Sequence, residues 1–456
     1  MNKVIFIGLY FLQLISLESQ TVLSVKDVLK SASERIPEIG TMKAEISKAK
    51  FKYMEALGNF DIKIKAQSAN EILGGYTGTN NKLLFEQPTE MGIRLFGGYR
   101  LGRGSFAVYD GKKKTNEFGE LQGGVLIPIL RNLGLNNFKY KLDKERIGKL
   151  LSVVINRIQK MQLQKVANKA YWNWYTAGQI YLLYSKLLEL AVVRQKQIER
   201  RVELGNLPKM YLHDNERTIY ERKEQVLSAS QLFKTAGIYL SYFNRSQKKK
   251  MVVPGKTKLP TIIAIKNQNL NLKSEIEKVI KFSPKLVALR LKSKQKMILK
   301  DLAKNMKKPQ LDLFIMASKD MGGKDIKKDA FQLDVGVQFS LPVQNRKAKG
   351  LEGVAESDIK IIRQEKKTVR DSLNNAVTTI LMKMEIERKR FEILKKELDK
   401  ATLVANLEKR AFFLGQSSLI FVNKREFDIT KTNIRLQKAK VNYFKMFYEL
   451  RILQGQ

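Results

Sequence analysis

Cysteine is absent from this chain of 456 residues, and histidine occurs once, as His213. Without cysteine there are no disulfides, thiolate zinc sites, iron–sulfur clusters or Cys nucleophile. A single histidine leaves no His-based metal cluster, and a Ser-His-Asp triad would depend on it alone. No catalytic constellation remains, so an enzyme is not expected, nor a cofactor or a metal. Proline is scarce at 9 residues, which favours long uninterrupted helices. Acidic side chains are outnumbered, 44 against 85 Lys+Arg, for a net charge of +41. Such a charge invites phosphate binding, because lysine density supplies that affinity without reading sequence. Lysine is also a good helix former that keeps solvated faces soluble.

Long apolar runs are also missing. Beyond the N-terminus no stretch approaches 18 apolar residues, so no transmembrane helix is expected in the mature chain. The N-terminus itself reads Met1-Asn2-Lys3, then an uncharged, mostly apolar run from Val4 to Leu17, then polar Glu18-Ser19-Gln20. That is the pattern of a signal peptide over residues 1–20, and it is short for a membrane span. A buried strand or an uncleaved anchor are the plainer alternatives. No small-x-small pair before Thr21 marks the cleavage point, and lipid attachment is excluded for want of cysteine. The expectation is an exported chain.

What the sequence does contain is itself, twice. Residues 23–43 and 270–290 run in parallel, with Pro37 and Pro284 in matching places. Gly123-Gly124-Val125-Leu126-Ile127-Pro128-Ile129 answers Val335-Gly336-Val337-Gln338-Phe339-Ser340-Leu341-Pro342-Val343, and Asn132 and Asn345 follow. Leu204-Gly205-Asn206 answers Leu414-Gly415-Gln416, and Ile219, Val226, Phe233 and Leu240 answer Ile429, Leu436, Tyr443 and Leu450 at an offset of 210. Ordered anchors of this kind mark a duplicated architecture.

Each half reads as helix, strands, long helix, tight turn, helix. The first repeat spans 21–245, with helices at 24–58, 135–204 and 206–246 and strands within 60–127. A connector fills 246–269. The second repeat spans 270–456, with helices at 270–307, 350–414 and 416–454 and strands within 309–342. Apolar seams recur every seven residues, through Leu163, Ala170, Ala177, Tyr184, Ala191 and Ile198, and beside it Ala167, Trp174 and Tyr181. Val377, Met384, Phe391, Leu398, Ala405 and Phe412 repeat the pattern. Sustained heptads mean coiled-coil packing, and Trp172 and Trp174 are expected as packing residues in the helical wall. At 1.5 Å per residue, 135–204 makes a rod of roughly 100 Å that the two flanking helices would match end to end.

Asp61–Gln67, Leu311–Ile315 and Gln332–Phe339 alternate with period two. One face is apolar and the other carries Asp, Lys, Gln or Gly, as in a lipid-facing barrel strand whose inner side is wet. A half-buried soluble sandwich has the same alternation, which does not by itself separate the two. Tyr76, Phe85, Phe96, Tyr99, Phe106, Tyr109 and Phe118 are candidates for an interfacial girdle. Two clear strands per half give about four per chain, too few to close a barrel of about eight. The chain therefore requires other copies.

With these residues in hand the sequence resembles the outer membrane efflux protein family, the TolC type, over nearly the whole mature chain. The carriers are Leu29-x-x-Ala32 with Pro37, Gly336 to Val343 followed by Asn345-Arg346, Phe413 to Leu419, and Leu436-x-x-Ala439-x-x-x-Tyr443 with Leu450 and Gly455. The resemblance implies an α+β protein of the cell outer membrane, extending into the periplasm. It implies a homotrimer whose strands form one shared β-barrel, continued by a periplasmic α-helical coiled-coil barrel. Its role would be the passive exit duct of a tripartite efflux or type I secretion system. Its partners would be a periplasmic membrane fusion (adaptor) protein, an inner-membrane transporter and outer-membrane lipid, with no nucleic acid. Leu204, Gly205, Asn206, Leu414, Gly415 and Gln416 would form the adaptor-docking tip, although the two glycines also suit a plain chain reversal. Tyr211, Asp214, Phe421 and Lys424 would form the periplasmic gate. Some members carry an acidic ring just after the second tip turn; Phe421 and Lys424 stand there instead, so cation preference is not carried over. His213 lies beside this region and reads as a solvated turn residue or, less plainly, a pH sensor.

The rival reading is a basic coiled-coil protein binding nucleic acid or an anionic surface. It leaves the export signal, the alternating strands and the paired prolines unexplained. Lys112-Lys113-Lys114 in a strand connection is placed to meet anionic head groups. A soluble periplasmic hydrolase has no catalytic residues to support it.

Overall fold

The computed structural model describes residues 22–261, 265, 270–323 and 330–455. The segment 1–20, expected as a signal peptide, and parts of the connector lie outside the described residues. In chain order the elements are α1 (Val25–Glu34), α2 (Pro37–Leu57), β1 (Lys63–Glu71), β2 (Gly78–Pro88), β3 (Arg94–Gly104), β4 (Glu120–Pro128), α3 (Asn137–Glu203) and α4 (Met210–Ser241). The second half gives α5 (Leu272–Phe282), α6 (Pro284–Met306), β5 (Gln310–Asp320), β6 (Phe331–Ser340), α7 (Arg346–Phe413) and α8 (Leu419–Leu453).

The helices at 24–58 and 270–307 are each two helices rather than one. Pro37 and Pro284 both occupy the first turn of the second member, after an extended Ile36 and Ser283. Proline has no N–H to donate and disfavours a helical residue before it, so each helix restarts there. Ser24 opens α1 with a capping box to Asp27, and Asn136 and Asn271 cap α3 and α5. The rods are long: α3 has 67 residues and α7 has 68. α3 packs against α1 and α2 along one part and α4 along another, and α7 packs the same way against α5, α6 and α8.

The heptad positions are buried or half-buried, as the seam requires. Ala167, Ala170, Trp174 and Ala191 form the wall in the first half, and Val377, Met384 and Ala405 in the second. Trp172 and Trp174 sit in the largest core cluster with Tyr171, Tyr175, Phe233 and Leu240; Trp172 stacks on Phe444 of α8 at 5.8 Å. Both rings thus pack within the helical wall.

The sheet has six strands, not four, in the order β1-β2-β3-β4-β5-β6, every neighbouring pair antiparallel. Four come from the first half. Three of these escape the period-two pattern because charge and glycine interrupt them, as in Arg94-Leu95-Phe96-Gly97-Gly98-Tyr99-Arg100. β4 and β5 join the halves, pairing Val125 with Ile315 and Gly123 with Ala317. β1 and β6 keep free edges.

Registry fixes which side chains share a face. Ile64, Leu83, Phe85, Leu95, Leu121, Leu333, Val335, Val337 and Phe339 fall on one side, and all are exposed. Lys63, Lys65, Lys82, Glu86, Arg94, Arg100, Glu120, Asp312, Asp320 and Asp334 fall on the other. There Lys65 pairs with Glu86, and Arg100 Nε donates to Glu120 Oε2 at 2.8 Å. Phe96 also turns to the charged side, where its ring stacks on Phe314 at 5.9 Å, so it is no member of an outer girdle. Gly124 makes room for it: a Cβ there would lie 2.5 Å from the Phe96 ring. Phe85 and Tyr99 remain on the apolar side, and Tyr109 and Phe118 are exposed outside the strands.

Candidate functional site

Far along the helices from the sheet, α3 turns into α4 and α7 turns into α8. Gly205 has φ +75° and Gly415 φ +77°. Gly205 N donates to Val202 O at 3.0 Å and Asn206 N to Arg201 O at 2.8 Å. In the second turn Gly415 N donates to Phe412 O at 3.1 Å and Gln416 N to Ala411 O at 2.8 Å. Both are Schellman closures, in which a left-handed glycine lets the next two amides satisfy the last helical carbonyls. The residue before each glycine, Leu204 or Leu414, is about two-thirds exposed. Asn206 and Gln416 are exposed as well. Each tip therefore presents an apolar side chain to solvent beside a rigid turn.

The expected gate residues do not form one cluster within the protomer. Tyr211 is half-buried against Ile198, Phe412, Leu419 and Val422, its ring centroid 6.4 Å from that of Phe412. Phe421 points to solvent at 50% exposure, and Lys424 is exposed. Among the described residues no ring contact joins Tyr211 to Phe421. Asp214 is half-buried, its main-chain carbonyl accepting from Thr218 Oγ1 at 3.0 Å. His213 is exposed, with Nδ1 3.4 Å from Glu216 Oε2.

Between the hairpins lies a charged cluster that the sequence pattern does not announce. Glu426 of α8 is 3% exposed. It is ion-paired to Arg194 of α3, to Arg222 of α4 at 3.2 Å and to Lys409 of α7 at 3.3 Å. Arg194 Nη1 also donates to Asn423 Oδ1 at 2.6 Å, and Arg222 Nη1 to Leu187 O at 2.7 Å. One carboxylate thus ties four helices together. Burial holds the Arg222 guanidinium below its ordinary value, and the adjacent Arg194 charge pushes the same way, while Glu426 opposes both. A lone Glu among many Lys and Arg gives no signal in sequence; its place opposite Arg194 and Arg222 comes from packing. Among the described residues no group of three or more His, Asp or Glu side chains could hold a metal. Nor is any helix long and apolar enough to cross a membrane.

The architecture has close counterparts among solved structures. The outer membrane protein VceC of Vibrio cholerae superposes with a TM-score of 0.65 at 10% identity, covering 94% of this chain and 96% of that one. The CmeC outer membrane channel of Campylobacter jejuni gives 0.60 at 12%, covering 100% and 94%. The fold is that of the outer-membrane efflux channels. The open state of the MtrE outer membrane channel of Neisseria gonorrhoeae gives 0.56 at 14%, covering 94% and 88%. No protein-family model and no curated protein matches the sequence. In this fold the barrel is shared between protomers, which is why the sheet of one chain stays open at β1 and β6.

Proposed function

We propose that the chain is one protomer of an outer-membrane exit duct. It serves a tripartite efflux or type I secretion system as a homotrimer, reaching through the periplasm to an adaptor protein and an inner-membrane transporter. The observation that carries this reading is the sheet. Its ten exposed apolar side chains, the nine named above and Phe331, lie on one face with nothing packed on them among the described residues. The opposite face is charged and internally paired. A soluble sandwich would bury that apolar face against a second layer. Lipid covers it without one, and closing the strands of three chains removes the free edges.

Such a duct does no chemistry. Its energy comes from the inner-membrane partner, and its own work is to hold a wet path open or shut. In this reading Leu204, Gly205, Asn206 and Leu414, Gly415, Gln416 meet the adaptor, because their exposed leucines need a cover and their turns are rigid. Tyr211, Asp214, Phe421 and Lys424 line the constriction; Phe421, solvent-facing in one protomer, would meet its counterparts at the threefold axis.

Membrane fractionation followed by mass determination of the detergent-extracted particle tests the reading. A trimer in the outer-membrane fraction that forms channels in planar bilayers is expected, with conductance raised in the Tyr211→Ala, Phe421→Ala double variant. A soluble or nucleic-acid-bound species would discard the duct, and unchanged conductance in the double variant would discard the gate alone.

A further inference from the structure

Where the two hairpins meet, cations outnumber carboxylates. Both oxygens of Glu426 are taken, Oε1 by Arg194 and Lys409 and Oε2 by Arg222. Beside them a cavity of about 200 Å³ opens between α3, α7 and α8, lined by Arg194, Arg201, Lys409, Phe412 and Glu426. That volume is about seven waters' share of the liquid, room for one phosphate-sized ion. The Arg201 guanidinium stands over the Phe412 ring at 5.8 Å. Its Nη1 is buried and has no hydrogen-bond partner among the described residues.

A buried guanidinium N–H without an acceptor is an unmet demand for an oxygen ligand. The Phe412 ring beneath it holds the guanidinium at the cavity wall, and the planar fork of arginine suits an oxyanion. Lys409 is over a third exposed at the cavity and has three donors, of which the Glu426 contact uses one. Glu426, the one acid on the cavity wall, is already bound to three cations, so the site as a whole stays positive.

We propose that this cavity is a binding site for a small oxyanion of the phosphate class, held by Arg201 and Lys409 beside the Phe412 ring. The ion joins α3 of the first hairpin to α7 of the second, so the stiffness of the tip depends on what the surrounding solution contains. This goes beyond the duct reading and does not rest on it.

The full chain in detergent is titrated with sodium phosphate and, at matched ionic strength, with sodium chloride, while thermal unfolding is followed by circular dichroism. Phosphate should raise the midpoint over chloride by about 2–4 °C at saturation. The increment should vanish in Arg201→Gln and in Lys409→Gln and survive in Arg200→Gln, a neighbouring exposed cation. Equal midpoints in the two salts overturn the proposal, and a carboxylate from a second copy seated in the cavity would show in that way. So does an increment that persists in both cavity variants. Should a variant fail to fold, equilibrium dialysis of phosphate against the wild-type chain decides: about one ion per chain supports the site, and none overturns it.

Discussion

The chain leaves α3 through Gly205 and α7 through Gly415 with φ within a few degrees, the same two amide closures and the same exposed leucine ahead of the glycine. Behind those matching turns the two hairpins differ. At the offset of 210, Glu426 corresponds to Glu216, yet Glu426 is 3% exposed while the Glu216 side chain is 51% exposed. The cations around Glu426 have no counterparts: Arg194 corresponds to Val404, Arg222 to Thr432 and Lys409 to Glu199. The duplication preserved the scaffold, and divergence made the hairpins complementary, with two arginines from the first and the carboxylate and a lysine from the second. A lesson follows for repeat proteins in general: the turn is set locally and copies well, whereas a buried charge needs partners from other helices.

The sharpest way to break this comparison is to remove the two glutamates one at a time. Glu426→Ala leaves Arg194 and Arg222 buried without their counter-ion and should cost about 3–5 kcal/mol in urea unfolding, whereas Glu216→Ala should stay within about 0.5 kcal/mol. Equal effects would mean that the cluster is not what ties the hairpins. In the sheet the corresponding contrast is between faces. Val335→Lys on the apolar side should cost about 2–4 kcal/mol and deplete the assembled form in the membrane fraction, while Gln338→Lys on the charged side should assemble normally. Gly205→Ala and Gly415→Ala probe what the tips share; each forces a side chain into a left-handed turn, and the two losses of about 1 kcal/mol should match.

The smallest difference concerns acid. The Glu408 carboxyl is held below the ordinary carboxylate range by the Ser417 hydroxyl and then by Arg425. This staple spans the second turn alone, since the first has Ile198, Leu207 and Asn215 at those places. A lowered folded-state value contributes stability above the ordinary range, and that contribution is lost as pH falls through the folded value. Amide exchange at Gly415, corrected for its intrinsic rate, should therefore speed up below about pH 4 relative to Gly205.

Much of the helical part was legible because its causes are local or periodic. Heptads from Leu163 and Val377 draw the rods, Pro37 and Pro284 restart helices, and Gly205 and Gly415 end them. The breaks at Ile36 and Ser283 are marked by the prolines themselves, although single helices were expected over 24–58 and 270–307. Strands were harder. β6 alternates cleanly, and β5 does over Leu311–Ile315, whereas β2 and β3 interleave glycine, Lys and Arg with apolar residues on the charged face, Phe96 and Leu84 among them. Of the tip, the paired glycines were visible; Phe412 was visible only as a heptad position, not as the partner of Tyr211 and Arg201.

Sequence by itself determined the duplication, the two long rods, the turn at each tip and the need for more than one chain to close a barrel. Each follows from spacing along the chain, where a period or a missing N–H or Cβ acts on its neighbours. Tertiary structure decided that β4 pairs with β5 across the four helices between them, that Phe96 faces inward over Gly124, and that Glu426 rather than Glu216 is buried. Those outcomes depend on which surfaces meet. A carboxylate stays ionised in the interior only where several cations from other helices arrive with it, and no window of sequence around Glu426 contains Arg194 or Arg222.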